Sequence, residues 1–267
     1  MNLKRVLTGL IGFPIVVAVL LFGNKYIVDA VFAIITLISM YEYTNAISNK
    51  YKPVKFVGYL LAISIAFIHI IPLEHMLKIL IMLIPTVIAI LFIKVIISKM
   101  DTNFNDIAVE FFGIVYIIGF MVFMPILYGM PNGKYLIMYI LLSAWGSDTF
   151  AYAVGRRFGK HKLSIISPKK SVEGSIAGVI GATLICLIYT ICINKFVSLN
   201  INYIYIMFVS IVLSVLSQLG DLAASSIKRY VDVKDFGNLL PGHGGMIDRI
   251  DSIIFIAPFA YFLLSLI

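Results

Sequence analysis

Nine continuous apolar stretches, most of them roughly 18 to 22 residues long, divide this 267-residue chain, and each has the length a helix needs to cross a bilayer's hydrocarbon. They fall at about 6–23, 26–47, 54–72, 76–97, 107–129, 134–154, 173–193, 202–227 and 246–266. The runs do not alternate polar and apolar residues, which excludes a transmembrane β-barrel. Composition agrees: 61% of the residues are hydrophobic and 13% charged, where a soluble domain carries about 25% charged. The expected fold is an all-α polytopic membrane protein with about nine transmembrane helices. Pro85, Pro125 and Pro258 interrupt three spans, which is tolerated when neighbouring groups satisfy the freed carbonyl. The basic, then apolar start resembles a signal peptide. Its core runs to Phe22 without a small-residue cleavage site, so it reads as a retained first span.

Basic residues orient the bundle. With the N-terminus in the cytoplasm, alternate assignment of the loops puts 17 of the 21 Lys and Arg inside and leaves Lys25, Lys78, Lys134 and Lys195 outside. Nine spans then place the C-terminus outside, and both long polar loops, 155–172 and 228–245, face the cytoplasm. The formal charge of +8 therefore reads as a match to anionic lipid, not nucleic acid. Cys186 and Cys192 share one apolar run at a spacing that suits neither a disulfide nor a metal. The chain divides into N-terminal helices over 1–130, a scaffold with access to lipid, and a C-terminal region over 131–267 that holds both long polar loops. In the first part Glu42 reads as a snorkelling or interfacial acid, with a buried partner as the alternative, and His69 as a hydrogen-bonded packing histidine.

Ionisable groups next to hydrocarbon are costly and mark function. The stretch Ser217–Ser252 holds five carboxylates, four basic side chains, one histidine and five glycines in 36 residues. In the eighth span Ser210, Ser214, Ser217, Asp221, Ser225 and Lys228 recur every three or four residues as one polar stripe. On the ninth, Asp248, Asp251 and Ser252 share a face. Asp148 in the sixth span reads as a carboxylate lining a polar cavity, with an internal ion pair as the plainer alternative. Arg156, Arg157, Lys160 and Lys162 suit the anionic inner leaflet as well as they suit a substrate. Ser167-Pro168-Lys169-Lys170-Ser171 then leads into the seventh helix, whose free N–H groups and partial positive charge favour phosphate, while Pro168 and Ser171 also suit a helix start, so that capping alone accounts for part of the pattern. Gly174, Gly178 and Gly181 form a small-residue face for close helix packing. Carboxylates on two helices facing a lysine-rich loop suggest Mg²⁺ on Asp221 and Asp248, with phosphate completing its shell. A structural ion-pair network of Asp221 and Asp248 with Lys228 or Arg249 stays open.

The residues Ser225-x-Ile227-Lys228-Arg229, Lys234-Asp235, Gly237, Leu240-Pro241 and His243-Gly244-Gly245-Met246-x-Asp248-Arg249-Ile250-Asp251 resemble the C-terminal signature of the phosphatidate cytidylyltransferase (CDP-diacylglycerol synthase) family. Ser167 to Gly174 resembles a second block of that family, and length and topology suit its bacterial members. The resemblance implies transfer of a cytidylyl group from CTP to phosphatidate, giving CDP-diacylglycerol and pyrophosphate. It implies Mg²⁺, with a second cation beside it, and a homodimer in the bacterial inner membrane whose active site faces the cytoplasm. Asp221 and Asp248 would hold the metal. Lys169, Lys170, Lys228, Arg229 and Lys234 would meet substrate phosphates, with Ser167, Ser171, Ser225, Asp235 and Arg249 in the same binding blocks. Asp148 and Asp251 would hold metal water or orient a ligand, and His243 would donate to pyrophosphate or brace its turn. Two other readings remain: a CTP-dependent polyprenol or phytol kinase, which would transfer the γ-phosphate, and a membrane transporter, which would show paired repeats with broken helices.

Overall fold

The computed structural model describes residues 14–239 and 244–267. The start of the expected first span lies outside the described residues, and α1 is seen over 14–22. The helices that follow are α2 (Lys25–Ile47), α3 (Lys55–Ser64, continued by a 3₁₀ turn Ile65–Ile70), α4 (Leu73–Ile97), α5 (Phe104–Gly129), α6 (Gly133–Phe158), α7 (Val172–Val197), α8 (Tyr203–Tyr230) and α9 (Ile247–Leu264). The described residues form no strand; Lys162 and Ser171 make an isolated bridge. Among the described residues four helices, α2, α5, α7 and α8, are long and apolar enough to cross a membrane, and Lys55–Ile70 and Ile81–Ile97 are shorter apolar helices. The protein is an all-α polytopic membrane protein. Helices α6 and α9, which carry Asp148, Arg156 and Arg157 and Asp248, Arg249 and Asp251, fall outside the four.

Local signals explain the helix starts. Asn24 caps α2 by accepting from Ile27 N at 2.9 Å. Asn103 and Asp106 form a reciprocal capping box at α5: Asn103 Oδ1 accepts from Asp106 N (3.1 Å), and Asp106 Oδ2 accepts from Asn103 N (2.8 Å). Ser171 caps α7, accepting from Gly174 N at 3.2 Å. The helix ends differ from the expected boundaries. Helix α6 runs on through Arg156 and Arg157, and α8 through Lys228 and Arg229, so these cations sit in last turns, where the helix dipole favours positive charge.

The chain forms two compact units. One comprises Met1–Gly129 with Val231–Arg249, the other Met130–Tyr230 with Ile250–Ile267. In the first, α2 packs on α3 and its 3₁₀ turn, and Tyr43 donates to the Val109 carbonyl of α5 at 2.8 Å. His69, expected as a bonded packing histidine, meets the fully buried Asp29 through Nδ1 at 2.7 Å. In the second unit α7 lies against α6. A Cβ on Gly178 would sit 2.8 Å from the Ser147 carbonyl oxygen, and one on Gly174 2.7 Å from that of Ala151. The glycine face thus lets the two backbones approach, as its spacing predicts. Helix α8 meets α9 at Gly220, which faces Phe255 and the Asp251 carbonyl, and Tyr205 donates to the Leu263 carbonyl at 2.7 Å.

Candidate active site

In the second unit a cavity of about 420 Å³ opens between the C-terminal end of α6, the start of α7 and the loop joining them. Asp148, Tyr152 and Arg156 line it from α6, Ser167, Lys169, Lys170 and Ser171 from the loop, and Ser175 and Gln218 from α7 and α8. The loop is folded back on itself. Leu163 N donates to the Lys170 carbonyl (2.9 Å), and Val172 N donates to that of His161 (2.9 Å). Glu173, in the first turn of α7, accepts from Lys160 N at 3.1 Å and pairs with His161 Nδ1 at 2.6 Å. These bonds hold Lys169 and Lys170 beside the start of α7, whose first N–H groups have no partner within the helix.

Lys170 Nζ is ion-paired with Asp221 Oδ2, both side chains being 27% exposed, and Ser225 donates to Asp221 Oδ1 at 3.4 Å. Asp251 is buried; its Oδ1 accepts from Ser252 N at 2.7 Å, and Asp221, Lys228 and Asp148 are the charged side chains whose fields reach it. Beneath the cavity Gln218 ties three helices together. Its Nε2 donates to Ser147 Oγ of α6 and to the Ser175 carbonyl of α7, each at 3.1 Å, and its Oε1 accepts from Ser175 Oγ. The hydroxyls of Ser214, Ser217 and Ser252 are buried with no hydrogen-bond partner among the described residues, so this unit holds polar capacity beyond what it uses internally.

The first unit holds a second group of functional candidates. Asp248 Oδ2 accepts from Phe236 N and Gly245 N, both at 2.9 Å. Gly244, at φ +82°, lies close enough to Asp248 and Asp235 that a Cβ there would sit 3.0 Å and 3.4 Å from their carboxylate oxygens. Lys50 pairs with Asp232 at 2.7 Å. Among the described residues no group of three or more His, Cys, Asp and Glu side chains is gathered tightly enough to hold a metal by itself. The described side-chain atoms of the two groups that suit a metal are oxygens, from carboxylates, hydroxyls and the Gln218 amide. That set fits Mg²⁺, which keeps several waters and takes phosphate oxygens, better than a cation that demands a full protein cage.

A model of the cytidylyltransferase family matches residues 3–267. The chain belongs to that family. A phosphatidate cytidylyltransferase of Staphylococcus aureus (strain COL) is 36% identical over 267 residues, covering 97% of this chain and 98% of the relative. Another, from Staphylococcus haemolyticus (strain JCSC1435), is 44% identical over 63% of both chains. One from Bacillus subtilis (strain 168) is 47% identical over 135 residues, and there the match spans about half of each chain (50% and 49%).

In this member of the cytidylyltransferase family the structure brings together, within the second unit, Asp148, Ser167, Lys169, Lys170, Ser171, Asp221, Ser225, Lys228 and Asp251. Asp235 and Asp248 belong to the first unit, where Lys234 and Arg249 are exposed. Arg229 is exposed at the end of α8, and His243 lies outside the described residues. Two residues were missed. Gln218 stands beside Asp221 in the polar part of α8, and an amide amid buried serines was the available signal. For Glu42 the structure selects the buried alternative over the interfacial acid, and the partner is one the sequence did not name: backbone of the signature segment. No periodicity links residues 204 positions apart.

Proposed function

We propose that the chain is a phosphatidate cytidylyltransferase of a bacterial inner membrane, converting CTP and phosphatidate into CDP-diacylglycerol and pyrophosphate. The observation that carries the reading is the Lys170–Asp221 pair beside a cavity lined by Lys169, Ser171 and the start of α7. A phosphate oxygen of phosphatidate forms a bond to the α-phosphorus of CTP as the bond from that phosphorus to the bridging oxygen of the β-phosphate breaks, and pyrophosphate leaves. The nucleophile is already anionic, so the chain needs no serine or cysteine nucleophile. What it supplies is positioning and charge neutralisation. Lys169, Lys170 and Lys228 balance phosphate charge, with Arg229 and Lys234 as further contacts. Ser167, Ser171 and Ser225 donate to phosphate oxygens, and Ser225 also donates to the Asp221 carboxylate. Asp221 and Asp248 are the residues to hold Mg²⁺, which when bound would screen the attacking and leaving oxygens, and a second cation would share those carboxylates. Asp148 and Asp251 orient water or a neighbouring ligand.

The charge bias supports nine spans with the N-terminus and both polar loops in the cytoplasm, where CTP is found, while the lipid arrives from the bilayer. The region 1–130 serves as scaffold, lipid access and homodimer surface for the catalytic region 131–267. The test is purified protein in detergent with phosphatidate and CTP labelled at the α- or the γ-phosphate. Label reaching the lipid from α-labelled CTP alone is expected. Label reaching lipid from the γ-position would mean a kinase, and solute flux in proteoliposomes without CTP turnover would mean a transporter; either overturns the reading.

A further inference from the structure

Glu42 is buried near the end of α2, and both of its carboxylate oxygens point at the start of α9. Oε1 accepts from Met246 N at 2.8 Å and Oε2 from Ile247 N at 3.0 Å. Those two N–H groups open a helix, so no intrahelical carbonyl can satisfy them. The neighbouring chain is shaped to this carboxylate. A Cβ on Gly245 would fall 2.4 Å from Glu42 Oε2, and one on Gly237 2.5 Å from Oε1. Asp248 interlocks with the same segment by accepting from Phe236 N and Gly245 N. Two carboxylates, one from α2 and one from α9, thus take up four backbone N–H groups on the two described sides of the signature loop.

We infer that Glu42 is a positioning residue for the transferase reaction: from the N-terminal helices it holds the backbone around Gly245–Ile247 and thereby fixes where Asp248 presents its carboxylate. The inference rests on the cytidylyltransferase reading. It assigns part of the catalytic geometry to helices that the sequence marks only as scaffold. A carboxylate is needed because both of its oxygens must accept. In Glu42→Gln one of them becomes an NH₂ group facing an N–H donor, while shape and burial are kept. Glu42→Ala removes both acceptors.

The test compares wild type, Glu42→Gln, Glu42→Ala, Gly245→Ala and the double variant Glu42→Ala/Gly245→Ala, purified in detergent, by steady-state kinetics with CTP and phosphatidate and by thermal unfolding. Wild-type turnover comes first, since its absence would count against the function itself and not against the role of Glu42. We expect kcat to fall roughly tenfold in Glu42→Gln and roughly a hundredfold in Glu42→Ala, the range set by losing charge-assisted hydrogen bonds. KM for both substrates should stay within about threefold, and the unfolding transition of Glu42→Gln should stay cooperative. The double variant should be no slower than Glu42→Ala, because removing the carboxylate frees the space that the Gly245 Cβ needs. Wild-type kcat in Glu42→Gln overturns the inference. So does loss of activity in strict parallel with loss of the folded state in both Glu42 variants, and so does a double variant showing the full product of the two single losses.

Discussion

Lys170→Met tests the centre of the proposed site most directly. In the structure the Lys170 ammonium is paired with Asp221, each side chain about a quarter exposed, beside the lysine-rich end of the α6–α7 loop. Met keeps an unbranched apolar stem of nearly the same length and removes the ammonium group, with its charge and its hydrogen bonds. A hydrogen bond to a charged partner is worth about 1.5–3 kcal/mol net. At about 1.36 kcal/mol per tenfold in rate, its loss corresponds to roughly 10- to 150-fold. If Lys170 acts by neutralising phosphate and setting the Asp221 carboxylate in place, kcat/KM for CTP should fall by about that factor. The two residues would then work as a unit, so Lys170→Met in an Asp221→Asn background should cost far less than it does alone. The assay is transfer of α-labelled CTP to phosphatidate by the four proteins of this cycle, with thermal unfolding in detergent to confirm that all are folded. Wild-type kcat/KM in Lys170→Met, or two losses that multiply, would refute the reasoning.

Asp221→Asn and Asp248→Asn should each reduce turnover by orders of magnitude while leaving unfolding in detergent cooperative, and wild-type-like turnover in either removes that residue from the proposed metal-binding role. Gly178→Ala should lower stability by about 1–3 kcal/mol, the usual cost of overpacking, because its Cβ meets a backbone oxygen at 2.8 Å that only a shift of α6 against α7 can relieve; thermal unfolding measures it. Ser171→Ala should cost about 1 kcal/mol through loss of the α7 cap and raise KM for CTP as the adjoining lysines loosen, both read from the same preparation. Lys94→Ala, at the exposed last turn of α4, should leave kinetics and stability unchanged.

Sequence alone determined what is local or periodic. Runs of apolar residues set the helices, since backbone polar groups in a bilayer have no other way to be satisfied. Helical spacing put Ser210, Ser214, Ser217 and Asp221 on one stripe of α8 and the glycines on one face of α7, and the residue before Val172 identified itself as a cap. The family was legible because its signature is dense in residues whose chemistry resists substitution by hydrocarbon. Partnership was not legible. Which cation meets Asp221, what Asp29 and His69 do for each other, how Gln218 joins three helices, and that Glu42 accepts from Met246 and Ile247 all depend on segments distant in the chain being folded together. A period names the face a side chain occupies. Only tertiary packing names the group across from it, because a buried carboxylate is satisfied by whichever donor the fold delivers within hydrogen-bond reach.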